Sequence, residues 1–164
     1  AVHESGHTAV AYYLPEAEGG SRLMDLVLGP AGPELTEVQR DWLAALAVHP
    51  LSLYRVERVE AGEGLELADV LRPFQPTVWV TERRGSEYFE VGDVLGARVI
   101  AWGDGHELSG AIYPFHGELG GEVAHSLPVV LEQSELGPDE PGGRELVARA
   151  LINAWLDSLL AEDE

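Results

Sequence analysis

Apolar and polar residues alternate in short runs across residues 51–115, and this alternation is the clearest pattern in the chain. The runs are rich in Val, Tyr, Trp and Ile, and Gly, Pro and Asp interrupt them at short intervals. Because successive side chains of a strand point to opposite faces, the pattern predicts a small antiparallel sheet or barrel. The predicted strands are residues 52–59, 65–71, 77–82, 94–102 and 107–113, with a turn at 61–64 and a hairpin loop at 102–106.

Helical spacing replaces this alternation in the N-terminal part of the chain. Residues 2–14 are predicted to form a helix that Pro15 ends, and residues 22–28 a short helix that stops at Gly29. A turn is expected at residues 29–33. Thr36 then begins a better defined helix, because Thr36 and Gln39 have the spacing of a capping box. This helix should end before His49-Pro50 and pack on the sheet through Val38, Trp42, Ala45 and Leu46.

The C-terminal part also favours helices. Residues 118–136 have a weak helical pattern that Pro128 is expected to break or kink. The composition of residues 137–143 is typical of a surface loop. Residues 144–160 have the strongest helical pattern, since apolar residues recur there every three or four positions: Leu146 or Val147, Ala150, Leu151, Ala154, Trp155 and Leu159.

These patterns together predict an α+β fold, in which N-terminal helices precede a central antiparallel β-sheet or partly open small barrel and a C-terminal helix closes the core. We expect a single domain over residues 1–164, with a helical part at 1–48, a β core at 51–115 and a second helical part at 116–160. Since the chain begins with Ala1 rather than Met, we expect it to be a fragment of a longer protein.

Composition narrows the classes of partner. The formal net charge of −19 opposes binding to nucleic acid and to anionic membrane surfaces, so a protein partner is expected. All ten basic residues are arginine, and the chain has no cysteine, which excludes disulfides and thiolate metal sites. No apolar run has the length of a membrane span and no secretory signal is visible, so a cytoplasmic location is expected.

One motif carries explicit chemistry: His3-Glu4-Ser5-Gly6-His7. On a helix, imidazoles at positions i and i+4 lie on one face and can bind one zinc ion, while the glutamate activates the metal-bound water as general base. The run AVHESGHTAVAYYLP resembles the active-site helix of the FtsH-like, AAA-linked zinc metalloproteases. That resemblance implies His3 and His7 as metal ligands and Glu4 as the catalytic base.

A catalytic zinc ion needs a third protein ligand. The spacing leaves Asp25, Glu34 and Glu37 open as substitutes, and no rule selects one of them. The histidines at 106, 116 and 125 lie in or beside predicted loops and are expected to be solvated. Glu82-Arg83-Arg84 is expected to be a solvated strand end.

The strand-rich region has a likeness of its own. The runs SLYRVERVEAGEGLELADVL, VTERRGSEYFEVGDVLGARVI and SGAIYPF are similar to the uncharacterised β-rich region of bacterial proteins that often carry a separate SEC-C metal-binding motif. The likeness covers residues 35–115 and implies an architecture without an activity. The leading prediction is therefore a bacterial accessory or interaction domain with no catalytic activity and no cofactor. The alternative is a zinc-dependent metallopeptidase or hydrolase that uses His3, Glu4 and His7.

Overall fold

The computed structural model describes residues 29, 30 and 32–162, which form a β-barrel flanked by helices. In chain order the elements are α1 (Glu37–Val48), β1 (Ser52–Glu60), β2 (Gly64–Asp69), β3 (Val78–Thr81), α2 (Arg83–Tyr88), β4 (Val94–Trp102), β5 (Gly105–Phe115), α3 (Glu118–Gln133) and α4 (Pro141–Glu162). The α+β class, the central sheet and the C-terminal helix predicted from the sequence are confirmed.

The five strands close into a barrel in the order β1-β2-β3-β5-β4, and β1 pairs with β2 on one side and β4 on the other. The sequence predicted a sheet or a partly open barrel, whereas the barrel in the structure is closed. One pair is also parallel, since β3 meets β5 at Thr81 and Glu107. A closed five-stranded barrel with a helix between β3 and β4 has the connectivity of the OB-fold, a Greek-key barrel. Connectivity alone assigns no function.

The barrel has an apolar interior, and helices cover part of its outside. Inward-facing side chains from all the strands form one core cluster: Tyr54, Val56, Leu65, Leu67, Val80, Leu95, Ala97, Val99 and Leu108, with Phe89 beside them. A second cluster joins Leu53, Val94 and Tyr113 to α3 and α4 through Leu127 and Leu151. Because β4 is buried on both faces, its sequence is an almost continuous apolar run rather than an alternating one.

Helix α1 has the bounds that its capping signals predict. The Gln39 N–H donates to Thr36 Oγ1 at 3.1 Å, and the Thr36 N–H donates to Gln39 Oε1 at 3.0 Å. Trp42 packs edge-on against Trp102 of β4, with ring centroids 5.0 Å apart. The predicted contact of Val38 with the sheet is wrong, because Val38 is 67% exposed at the start of the helix.

The first of the two C-terminal helices is shorter than the sequence suggested, and the second is longer. Helix α3 continues through Pro128 without a break. Helix α4 begins at Pro141, so the loop predicted at 137–143 lies earlier in the chain, at 134–140. Proline is favoured at the first position of a helix because its missing N–H would have no partner there. Leu159, predicted on the buried stripe, is exposed.

The sequence also missed a short helix. Residues 83–88 form α2, and Glu82 caps it by accepting a hydrogen bond from the Gly85 N–H at 3.0 Å. The prediction that Glu82-Arg83-Arg84 is a strand end is therefore wrong. Ser86 connects α2 to the β1–β2 turn, because its Oγ accepts from the Gly62 N–H at 2.9 Å. This tertiary contact favours a helix that the local sequence, with Gly85 in it, indicates only weakly.

The predicted helices at residues 2–14 and 22–28 lie outside the described residues. The turn predicted at 29–33 is confirmed by a hydrogen bond from the Gly32 N–H to Gly29 O at 3.0 Å. Among the helices of residues 32–162, none has both the length and the apolar character needed to cross a bilayer.

Candidate functional site: a cleft at one end of the barrel

One end of the barrel opens into a cleft with a volume of about 330 Å³. Leu67, Val78 and Val99 form its apolar wall, and the same three side chains belong to the barrel core or pack against it. The β2–β3 loop, the α3–α4 loop and the start of β5 surround it, so segments far apart in the chain contribute to it. We call this site the barrel-end cleft, and its lining residues are Val48, His49, Pro50, Tyr54, Leu67, Asp69, Arg72, Gln75, Pro76, Val78, Val99, His106, Asp139 and Arg144.

Arg72 fixes one side of the barrel-end cleft. Its guanidinium donates to Asp69 Oδ2 at 3.0 Å, to Ser52 Oγ at 3.2 Å and to Asp139 Oδ1 at 2.7 Å. Asp69 is itself held, because its Oδ1 accepts from Ser52 Oγ at 2.8 Å and from the Leu71 N–H at 2.9 Å. Arg72 therefore joins the β2–β3 loop to the α3–α4 loop and forms ion pairs with two carboxylates at the cleft.

The Arg72 contacts also affect the ionisation of Asp139. Hydrogen bonding to Arg72 holds the pKa of the Asp139 carboxyl below its ordinary value, and the positive charges of Arg72 and Arg144 act in the same direction. Asp139 has a side chain that is 69% exposed, so solvent weakens these interactions. The carboxylate is ionised at neutral pH and remains paired with Arg72.

Tyr54 brings a phenol to the barrel-end cleft. Burial raises the pKa of its hydroxyl, and the negative charge of Asp69 raises it further. The hydroxyl is thus neutral and available as a donor at physiological pH. It makes no hydrogen bond to any residue within the part of the chain that the structure describes.

Arg144 differs from Arg72 in its contacts. It lies in the first turns of α4, lines the cleft, and its Nε is buried without a hydrogen-bond partner among residues 32–162. Arg144 makes no ion pair with the described residues either. A buried donor on a charged group costs free energy when it is left unsatisfied, which makes Arg144 the most informative residue of the cleft.

Two histidines border the barrel-end cleft. His49 donates from Nδ1 to Ala45 O at 2.7 Å, because a carbonyl oxygen can only accept. His106 is exposed at the start of β5 and lines the cleft. The sequence predicted His106 to be a solvated loop residue, and its exposure agrees with that, while its place at the cleft required the folded barrel.

Beside the cleft, the β2–β3 loop presents Phe74 to solvent. The side chain is 100% exposed and lies between Pro73 and Pro76. The loop is nevertheless ordered by its own hydrogen bonds, since the Gln75 N–H donates to Arg72 O at 3.0 Å and the Leu71 N–H donates to Asp69. A phenylalanine between two prolines is a sequence signal that could have indicated this loop.

Most of the residues predicted to bind zinc lie outside the part of the chain that the structure describes. His3, Glu4 and His7 lie outside the described residues, and so does Asp25. Glu34 and Glu37 are described and are exposed at the start of α1. In residues 29, 30 and 32–162, no group of three or more His, Cys, Asp or Glu side chains is arranged to hold a metal ion.

Comparison of the chain with protein-family models, with curated proteins and with solved structures finds no match. Its function has to be inferred from its own residues.

Proposed function

We propose that this chain is a non-catalytic interaction domain, and that it binds a protein partner with the end of the barrel that carries Phe74. The observation that supports the proposal is the complete exposure of Phe74 in an ordered loop. Burying such a ring contributes about 1.5–3 kcal/mol, and within the described fold that contribution is not used.

The position of Phe74 also suits a protein interface. Binding energy concentrates on a few anchors, often aromatic, and a preformed loop loses little entropy when it binds. Arg72 holds the Phe74 loop through Asp69 and Asp139, so the ring is presented by a braced segment.

Charge selects among the possible partners. A net charge of −19 repels phosphate backbones and anionic lipids and attracts basic proteins over long distances. We therefore propose a partner whose surface is basic and has an apolar pocket for the Phe74 ring, and no nucleic-acid or membrane partner. The resemblance of residues 35–115 to a region of bacterial proteins supports a bacterial setting.

The test places a photo-cross-linking phenylalanine analogue at position 74 in cells and at position 91 as the matched control. Val91 is exposed but lies in the turn before β4. We expect a defined cross-linked protein from position 74 only. With that protein purified, Phe74→Ser should weaken binding about 30-fold, the equivalent of about 2 kcal/mol for an anchor residue, whereas Val91→Ser should leave it unchanged. Equal cross-linking at both positions, or full binding by Phe74→Ser, contradicts the proposal.

The second candidate is a zinc-dependent hydrolase, which the HExxH spacing of His3, Glu4 and His7 favours. In that case purified protein holds about one equivalent of zinc, and His7→Ala removes it. His125→Ala serves as the control, since His125 lies in α3 and outside the motif. Metal-free protein whose unfolding midpoint does not change with added zinc rules this candidate out.

A further inference from the structure

We propose that the barrel-end cleft binds a ligand with a single carboxylate on a small apolar body, and that Arg144 receives the carboxylate. This site is separate from the Phe74 anchor: it lies inside the rim of the barrel, and different side chains supply its chemistry. The proposal therefore stands or falls independently of the protein partner.

The first reason is the state of Arg144. Its Nε is buried at the cleft and has no acceptor among the residues that the structure describes. A guanidinium presents its N–H groups in a planar fork that matches the two oxygens of a carboxylate. Solvent does not reach Nε itself, so a carboxylate bound in the cleft would pair with the guanidinium through its other N–H groups.

The second reason is the pairing of the other charges. Asp69 and Asp139 line the same cleft, and their negative charges would repel an anion if they were unpaired. Arg72 donates to both of them, at 3.0 Å and 2.7 Å, and its charge offsets one of the two negative charges. The cation of the cleft that is not engaged in an ion pair with these carboxylates is Arg144.

The third reason is the rest of the lining. Leu67, Val78 and Val99 form an apolar wall, and the Tyr54 hydroxyl is a neutral donor with no hydrogen bond to the described residues. This lining suits a ligand whose aliphatic part lies against the apolar wall and whose carboxylate lies between Arg144 and Tyr54 at the mouth of the cleft. Apolar linings with a few placed polar groups are typical of small-ligand sites.

Size and charge exclude larger anions. A volume of about 330 Å³ is at the lower limit for ligand pockets and suits a group no larger than a short peptide end. The net charge of −19 disfavours polyphosphates more strongly than a monovalent anion. Two kinds of molecule carry a single carboxylate on a small apolar group: a free branched-chain fatty acid and the C-terminal residue of a peptide.

The experiment titrates the ¹⁵N-labelled protein with two pairs of probes, followed by amide chemical shifts. The first pair is 3-methylbutanoate and its amide, and the second is N-acetyl-alanyl-leucine and its C-terminal amide. We expect the two acids to bind with a dissociation constant of about 1 mM or tighter and to shift amides near Tyr54, Val78 and His106. The amides should bind at least about tenfold more weakly, since they carry no charge for Arg144. Tighter binding of the fatty acid or of the peptide acid identifies the source of the carboxylate.

Variants test the residue assignment. Arg144→Met keeps most of the side-chain length and should lower the affinity of both acids at least about tenfold. Arg149→Met is the matched control, because it removes an exposed guanidinium from the same helix, where it pairs with Glu145, and it should not change binding. Phe74→Ser should also leave binding of the acids unchanged, which separates this site from the proposed protein interface.

Three results overturn the proposal. One is equal binding of acid and amide by the unmodified protein, a comparison that needs no variant to fold. Another is unchanged acid affinity in a folded Arg144→Met protein. The absence of any shift near the cleft with both acids at concentrations well above about 1 mM overturns it as well.

Discussion

Gly120 and Gly121 are neighbours in α3, and replacing each by alanine should change stability in opposite directions. Gly121 faces open space, since a Cβ added there meets nothing within 4 Å. A Cβ on Gly120 would lie 2.8 Å from Phe115 O and 3.2 Å from Val94 Cβ. Gly120 therefore lets α3 approach the barrel closely at β4 and β5.

The magnitudes follow from these distances. Alanine is favoured over glycine inside a helix by about 0.5–1 kcal/mol, so Gly121→Ala should raise the free energy of unfolding by about that amount. Gly120→Ala has the same helix-propensity gain, but its methyl group would clash with the backbone oxygen of Phe115, which cannot rotate away. Overpacking of this kind costs about 1–3 kcal/mol, which leaves Gly120→Ala destabilised by about 1 kcal/mol. The two variants should differ by about 2 kcal/mol, or about 4–8 °C in Tm for a domain of this size.

Urea unfolding followed by circular dichroism and tryptophan fluorescence measures this difference, and the slope m should be the same in both variants. The comparison is internally matched, because the two sites share one helix and one substitution. If Gly120→Ala proves as stable as Gly121→Ala, α3 does not approach the barrel as closely as the structure shows.

Three further predictions concern the capping box and the barrel-end cleft. Thr36→Ala should lower the free energy of unfolding by about 1 kcal/mol because the first turn of α1 loses its acceptor, whereas Thr36→Ser should be nearly neutral in the same urea experiment. The lowered pKa of Asp139 means that its pairing with Arg72 stabilises the fold above the unfolded-state pKa of about 3.9 and is lost as pH falls through the folded-state pKa. Asp139→Asn should therefore reduce the fall in Tm below about pH 4, and an unchanged profile would refute this role. The pKa of Tyr54 is raised in the folded state, so its buried neutral phenol stabilises the fold below about pH 10, and this contribution is lost as pH rises through the folded-state pKa. Tyr54→Phe should therefore move the alkaline unfolding midpoint to higher pH.

The sequence alone determined the elements whose causes are local. Thr36 and Gln39 satisfy each other's backbone N–H groups three residues apart, so the start of α1 could be predicted to the residue. The strand from Val94 to Trp102 was predicted with its observed bounds, because its apolar run and the following glycine turn are both visible in the sequence. Gly103 has the positive φ of 60° that such a turn needs.

Only the tertiary structure decided how those elements combine. The closed barrel depends on pairings between distant strands, and α2 depends on the contact of Ser86 with the β1–β2 turn. The barrel-end cleft is of the same kind, since Arg72 of the β2–β3 loop and Arg144 of α4 line one cleft only in the folded chain, where Arg72 pairs with Asp139 of the α3–α4 loop. A periodic pattern records which face of a segment is buried, but it carries no information about which distant segment covers that face. The location of the proposed site was for this reason beyond the reach of the sequence, while the α+β architecture around it was not.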